Sequence, residues 1–139
     1  MTYGECKEKI RDLGFEENST MQEYSSIVKN SVQRAMQFLY DDIVIRYKSY
    51  YIVELSTEEF DWRPIRPAQL TVDTPDDFIL QLPDNIIELV PLLASYYVWL
   101  DDDQVKAALY WNSYDAMKQE IIATMSRDVR GVIQGGLGW

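Results

Sequence analysis

Prolines decide where this chain can be regular. Four of its five, Pro64, Pro67, Pro75 and Pro83, fall within "DWRPIRPAQLTVDTPDDFILQLPD". Proline lacks a backbone N–H and obstructs the helical turn before it, so no regular helix crosses this stretch and any strand is confined to short edge pieces. "AQLTVD" and "FILQL", separated by the turn-like "TPDD", fit a small hairpin, and they fit an extended, well-anchored loop equally well.

On either side the spacing is helical. Thr2 followed by Glu5 is a capping-box pattern and Gly14 stands where a C-cap glycine ends a helix, which predicts a first helix over 3–13. After the polar connector "FEENSTMQEYSS", Val28, Val32, Ala35, Met36, Leu39, Ile43 and Tyr47 recur at three-and-four spacing and predict a long second helix. "SYYIVELS" then changes to aromatic and β-branched residues, a composition that suits a strand. The helical period returns at Ile86, Val90, Leu93, Tyr97 and Leu100, with Asp84 as a cap and Pro91 predicting a kink or a restart. Past "DDDQ" a last helix carries Val105, Leu109 and Asn112 on one side and Tyr110, Tyr114, Met117 and Ile121 on the other, ending near Ser126. So short a connection makes the last two helices an antiparallel hairpin.

The expected fold is therefore mainly α. It is a small helical bundle with a long second helix, a C-terminal antiparallel hairpin, a β or extended insertion over 48–82 and an extended C-terminal tail over 127–139. Residues 1–126 form the helical domain, and 139 residues suffice for one core and not for two. In the tail, "RDVRGVIQGGLGW", four glycines alternate with Val132, Ile133, Leu137 and Trp139. Such a segment holds no helix or strand by itself, yet it is too apolar for a solvated end, so it reads as hinged anchors for a partner.

The net charge is −10, and no Lys or Arg lies between Arg66 and Lys106 while eight acidic residues do. A surface of that sign repels phosphate and excludes a sequence-reading nucleic-acid binder, though a duplex can slide past an acidic wall. Cys6 has no cysteine to pair with, no apolar run approaches a membrane span, and "MTYGECKEKI" lacks a signal peptide's apolar core. The expectation is a soluble protein made in a cytoplasm.

Chemistry is thinly supported. With no histidine, Ser-His-Asp and Cys-His catalysis and the usual zinc sites are ruled out. "GGLG" has neither the strand before it nor the helix after it that a phosphate cradle needs. Asp101, Asp102 and Asp103 are conceivable ligands for a divalent cation, but three consecutive carboxylates do not converge from one helix. They read better as a cap, Asp101, with neighbours beside the positive end of the helix dipole. Neither Asp41 with Asp42 nor Asp76 with Asp77 converges for acid-base work. No cofactor, metal or catalytic residue is expected.

The aromatics are more informative. Ten Tyr and four Trp concentrate in "SYYIV", "SYYVWL" and "LYWNSY". Tyr and Trp combine an apolar body with a polar handle and are common at protein interfaces. Tyr96, Tyr97, Trp99, Tyr110, Trp111 and Tyr114 are accordingly candidates for contacts between subunits.

The stretch "LPDNIIELVPLLASYYVWLDDDQVKAALYWNSYDAMKQE" resembles the C-terminal helical hairpin of head-tail connector, or adaptor, proteins of long-tailed bacteriophages. Leu82 and Pro83 match the entry, Pro91 to Tyr97 the first helix, Asp101 to Asp103 the acidic turn, and Lys106 to Tyr110 with Tyr114 the last helix. "MTYGECKEKIRDLGFEE" is similar to N-termini in the group. The resemblance implies a non-enzymatic virion protein of the neck, forming a ring of about twelve copies that docks beneath the portal. Genomic DNA would pass through the lumen, and a stopper or tail-completion protein would attach next. By position, the portal-docking segment falls on Arg127, Arg130, Gly131, Val132, Ile133, Leu137 and Trp139. The alternatives are another helical assembly factor, such as a tail-assembly chaperone, and a small acidic metal-dependent enzyme.

Overall fold

A computed structural model describes the backbone of residues 1–15 and 18–137, with side chains except those of 18–20 and 128–137. The protein is mainly α. Its helices are α1 (Tyr3–Gly14), α2 (Asn18–Glu23), α3 (Ser25–Leu39), α4 (Lys48–Leu55), α5 (Leu89–Trp99) and α6 (Gln104–Leu137), and a π-helical turn, Tyr40–Val44, continues α3. α5 is the central element: it packs on α1, α3 and α6. Its two faces differ little because Leu89, Val90, Pro91, Leu93, Ala94, Ser95 and Val98 are all buried.

α1 begins at the predicted capping box: the Thr2 hydroxyl accepts from Glu5 N, and the Glu5 carboxylate accepts from Thr2 N. Its buried residues, Tyr3, Cys6 and Ile10, recur every three or four positions, the spacing of a single face. The C-cap is Phe15 in extended conformation, not a left-handed glycine. α3 buries Val28, Val32, Ala35, Met36 and Leu39, as expected. The expected long helix does not run uniformly to Tyr47: after Leu39 its hydrogen bonds widen, with Ile45 N donating to Tyr40 O. Pro91 lies in the first turn of α5, where a missing N–H leaves nothing unsatisfied, so the helix starts there without a kink inside it.

Two expectations are corrected and one open choice is decided. "SYYIVELS" is the helix α4, not a strand. A lone strand needs a neighbouring edge to satisfy its backbone, whereas a helix satisfies its own, and Tyr51 pins this one by donating to Asn85 Oδ1 at 2.9 Å. The proline-rich segment forms no hairpin: among the described residues there is only an isolated antiparallel bridge, Thr2 with Ile79. It is an extended strap whose backbone is held by side chains, Leu70 N donating to Gln33 Oε1 and Ala68 N to Gln81 Oε1. At its far end Tyr3 N donates to Phe78 O and Leu80 N to Met1 O.

The second correction concerns the chain's last segment. α6 does not end near Ser126 but continues to Leu137, so the backbone over 127–137 is helical and not extended. Interior glycine costs about 1 kcal/mol relative to alanine, which weakens a helix without forbidding it, and no proline interrupts this one. The anchor side chains expected of Arg130, Val132, Ile133 and Leu137, and Gly138 and Trp139 altogether, lie outside the described residues.

Candidate assembly surface

The described part of α6 has two faces. Ala107, Tyr110, Tyr114 and Met125 are buried, and Lys118 and Ile121 are nearly so, all on the side toward α5. Lys118 is the charged member of this seam. Its ammonium lies 2.5 Å from Asp42 Oδ2, both side chains being under 20% exposed, and Asp42 also meets Arg46 at 3.5 Å. The π-helical turn is what presents Asp42 to α6, so a widened turn coincides with the single ion pair joining these elements among the described residues.

At the other end of the seam α6 ties down α1. The Tyr110 hydroxyl donates to Leu13 O and the Lys106 ammonium to Gly14 O, which satisfies carbonyls a helix C-terminus leaves open. The Lys106 ammonium also sits 3.8 Å from the Trp99 ring centroid. Trp99 packs on Phe15 and Tyr24, with centroids 4.9 and 5.8 Å away. Gly14 is required here by space: a Cβ on it would lie 2.5 Å from Trp99 Nε1.

The six aromatic candidates thus divide. Tyr114 is fully buried and Tyr110 nearly so, and burial pushes the Tyr114 hydroxyl well above its ordinary range. Trp99 is half-buried in the joint with α1. Tyr96, Tyr97 and Trp111 retain accessible ring surface, Tyr96 and Trp111 lying 5.1 Å apart across the hairpin and Tyr97 carrying the Arg34 guanidinium at 4.1 Å. Of the docking-tail candidates, Arg127 is exposed and donates to Thr124 Oγ1, while the side chains of Arg130, Gly131, Val132, Ile133, Leu137 and Trp139 lie outside the described residues.

The most exposed apolar side chains lie elsewhere. Val53, Phe60 and Ile65, on α4 and the start of the strap, are 64%, 58% and 74% exposed. Val105 and Leu109, on the outer face of α6, are 76% and 62% exposed. The spacing of Val105, Leu109 and Asn112 puts them on one side without assigning that side to solvent, since spacing alone does not say which of two faces meets the core.

Chemically the surface is plain. The acidic turn caps α6 through Asp103, which accepts from Lys106 N at 3.1 Å, and not through Asp101 as expected; Asp102 accepts from the Tyr24 hydroxyl. No group of three or more His, Cys, Asp or Glu able to hold a metal occurs among the described residues. Cys6 is fully buried and its thiol is pushed up to about 12, chiefly by desolvation, so it stays protonated and inert near neutral pH. A hollow of about 800 Å³ between α1, the start of α3 and the strap mixes Lys7, Arg11 and Lys29 with Glu5, Glu8 and Asp76. Lys7 is already committed to Asp76 at 2.7 Å. Among the described residues no helix is long and apolar enough to cross a membrane. The chain matches no protein-family model, no curated protein and no solved structure.

Proposed function

We propose that this protein is a structural head-tail connector of a phage neck: copies form a ring that docks beneath the portal, extends the DNA channel and offers a surface to a stopper or tail-completion protein. The observation that carries the reading is the hairpin. The residues of the family-like stretch, from Pro91 through the acidic turn to Tyr114, build the central helix α5, its turn and the buried seam of α6. A protein whose most family-like segment is its packing core owes the likeness to architecture and not to a reactive constellation.

Exposure supports the same reading. Val53, Phe60 and Ile65, with the open faces of Tyr96, Tyr97 and Trp111, leave more apolar and aromatic surface than one copy covers. A net charge of −10 suits a channel wall past which DNA slides without being held. On this reading the protein acts in the virion, uses no cofactor, and engages the portal through residues 127–139, of which 127–137 continue the backbone of α6.

The test is native mass spectrometry of the full chain with purified portal. A complex with about one copy per portal subunit is expected. A chain that stays unbound at micromolar concentrations sinks the reading. Removing residues 131–139 is expected to abolish docking while the bundle still unfolds cooperatively.

A further inference from the structure

The outer face of α6 is a second packing stripe. Val105, Leu109, Asn112, Ala116, Gln119 and Ala123 recur at alternating four- and three-residue steps, about half a turn away from the buried seam of Ala107, Tyr114, Ile121 and Met125. All six are exposed. From Val105 to Ala123 the stripe runs about 27 Å, and none of its members is charged. Alternating steps of four and three are the spacing by which one helix packs along another.

Charge along this face is polarised. Asp101 stands exposed at the N-terminal end and makes no ion pair among the described residues. Arg127 stands exposed toward the other end, and among the described residues its side chain donates to a neutral threonine and makes no ion pair. Lys106 and Lys118, between them, are turned inward to Trp99 and Asp42. The helix from Gln104 to Arg127 separates Arg127 from the turn that holds Asp101 by more than 30 Å, roughly, so the two cannot meet within a chain.

We propose that two copies pair through this stripe, α6 against α6 in antiparallel orientation about a two-fold axis near position 114. The register that sets Asn112 opposite Ala116 of the second copy also sets Val105 opposite Ala123 and Leu109 opposite Gln119. It brings Asp101 beside Arg127 of the second copy, and the two-fold repeats each contact. A parallel pairing would instead place Asp101 beside Asp101 and Arg127 beside Arg127, which like-charge repulsion disfavours. Small residues at 116 and 123 allow the helices close approach where Asn112 and Val105 of the second copy face them.

The pairing belongs to the chain free of portal, because antiparallel copies direct the ends of α6 oppositely and cannot both enter the ring proposed above. A chain that docks on portal yet is monomeric without it overturns only the pairing; a dimer that never binds portal overturns only the ring.

The experiment is sedimentation equilibrium of the full chain from about 1 to 200 µM, a range suited to a small interface. A reversible dimer is expected. Leu109→Glu is expected to abolish it with an unchanged helical circular dichroism spectrum. Asp101→Arg or Arg127→Asp alone is expected to weaken it about fivefold, and the double variant to restore it to within about twofold, because each reversed charge then meets its complement. A second readout is covalent: Asn112→Cys with Ala116→Cys should give a disulfide-linked dimer on mild oxidation, Cys6 being buried. A chain that is monomeric throughout, a dimer indifferent to Leu109→Glu, a charge swap that fails to rescue, or absence of the cross-link overturns the proposal.

Discussion

The Lys118 ammonium and the Asp42 carboxylate meet at 2.5 Å in the seam between α6 and the π-helical turn, each with less than a fifth of its side chain exposed. Breaking a pair this enclosed leaves one desolvated charge without its partner, which costs more than the pair contributed. Asp42→Ala is expected to destabilise the protein by about 2 kcal/mol in urea unfolding. Asp42→Leu with Lys118→Met should return stability to within about 1 kcal/mol of the parent. If the double variant is as unstable as the single one, the pair does more than fill the seam.

Gly14 is held against Trp99 by close approach, a Cβ falling 2.5 Å from the indole nitrogen. Gly14→Ala should therefore push α1 off the joint formed by Trp99, Tyr110 and Lys106, at a cost of about 2 kcal/mol. Tryptophan emission should shift as Trp99 moves. A variant with unchanged emission and unfolding midpoint would show that the joint yields freely.

Buried groups whose neutral forms are favoured make the fold sensitive to alkali. The Cys6 thiol is pushed from 9.0 up to about 12 by burial, and Tyr51 from 10.0 up to about 12 despite its bond to Asn85. The unfolded chain then loses these protons first and binds fewer than the native chain, so stability is full below about pH 9 and falls as pH rises from there toward 12. Urea midpoints measured between pH 8 and 10.5, roughly, should decline, and Cys6→Ala should flatten the early part of the decline. A parallel decline in both proteins would assign it elsewhere.

The strap hangs on side-chain acceptors. Gln33 Oε1 accepts from Leu70 N, and its loss leaves a part-buried donor unsatisfied. Gln33→Leu is expected to cost about 1 kcal/mol and to speed amide hydrogen exchange selectively over 68–72. Exchange accelerated uniformly across the bundle would contradict a local role.

On the ring reading, Val53 and Phe60 face a neighbouring copy and not this chain's own core. Val53→Asp with Phe60→Asp should leave the urea midpoint unchanged within about 0.5 kcal/mol, as exposed sites do, while reducing assembly on portal. Loss of stability instead would mean that these side chains pack within the monomer.

Much of the architecture is legible in the residues because it is local. The Thr2 and Glu5 capping box, the α3 face from Val28 to Leu39 and the proline at the start of α5 are settled within a few residues of themselves. The tail departs from its composition for a related reason: each glycine alone disfavours helix, whereas α6 reaches them already nucleated, and extending a formed helix is far easier than starting one. Lys118 stands at a seam position, and nothing adjacent in sequence names Asp42 as its partner, 76 residues away.

By itself the sequence determined that this chain is helical, where its prolines forbid helix, and that its last two helices form a hairpin. Only the tertiary structure decided that α4 is a helix pinned by Tyr51, that Tyr110 and Tyr114 are interior while Trp111 is not, and that Val105 and Leu109 face outward. The reason is physical. Periodicity and capping follow from bonds a residue makes with neighbours three or four positions away, whereas burial is conferred by elements far along the chain, and two apolar faces of one helix carry the same spacing whether or not anything covers them.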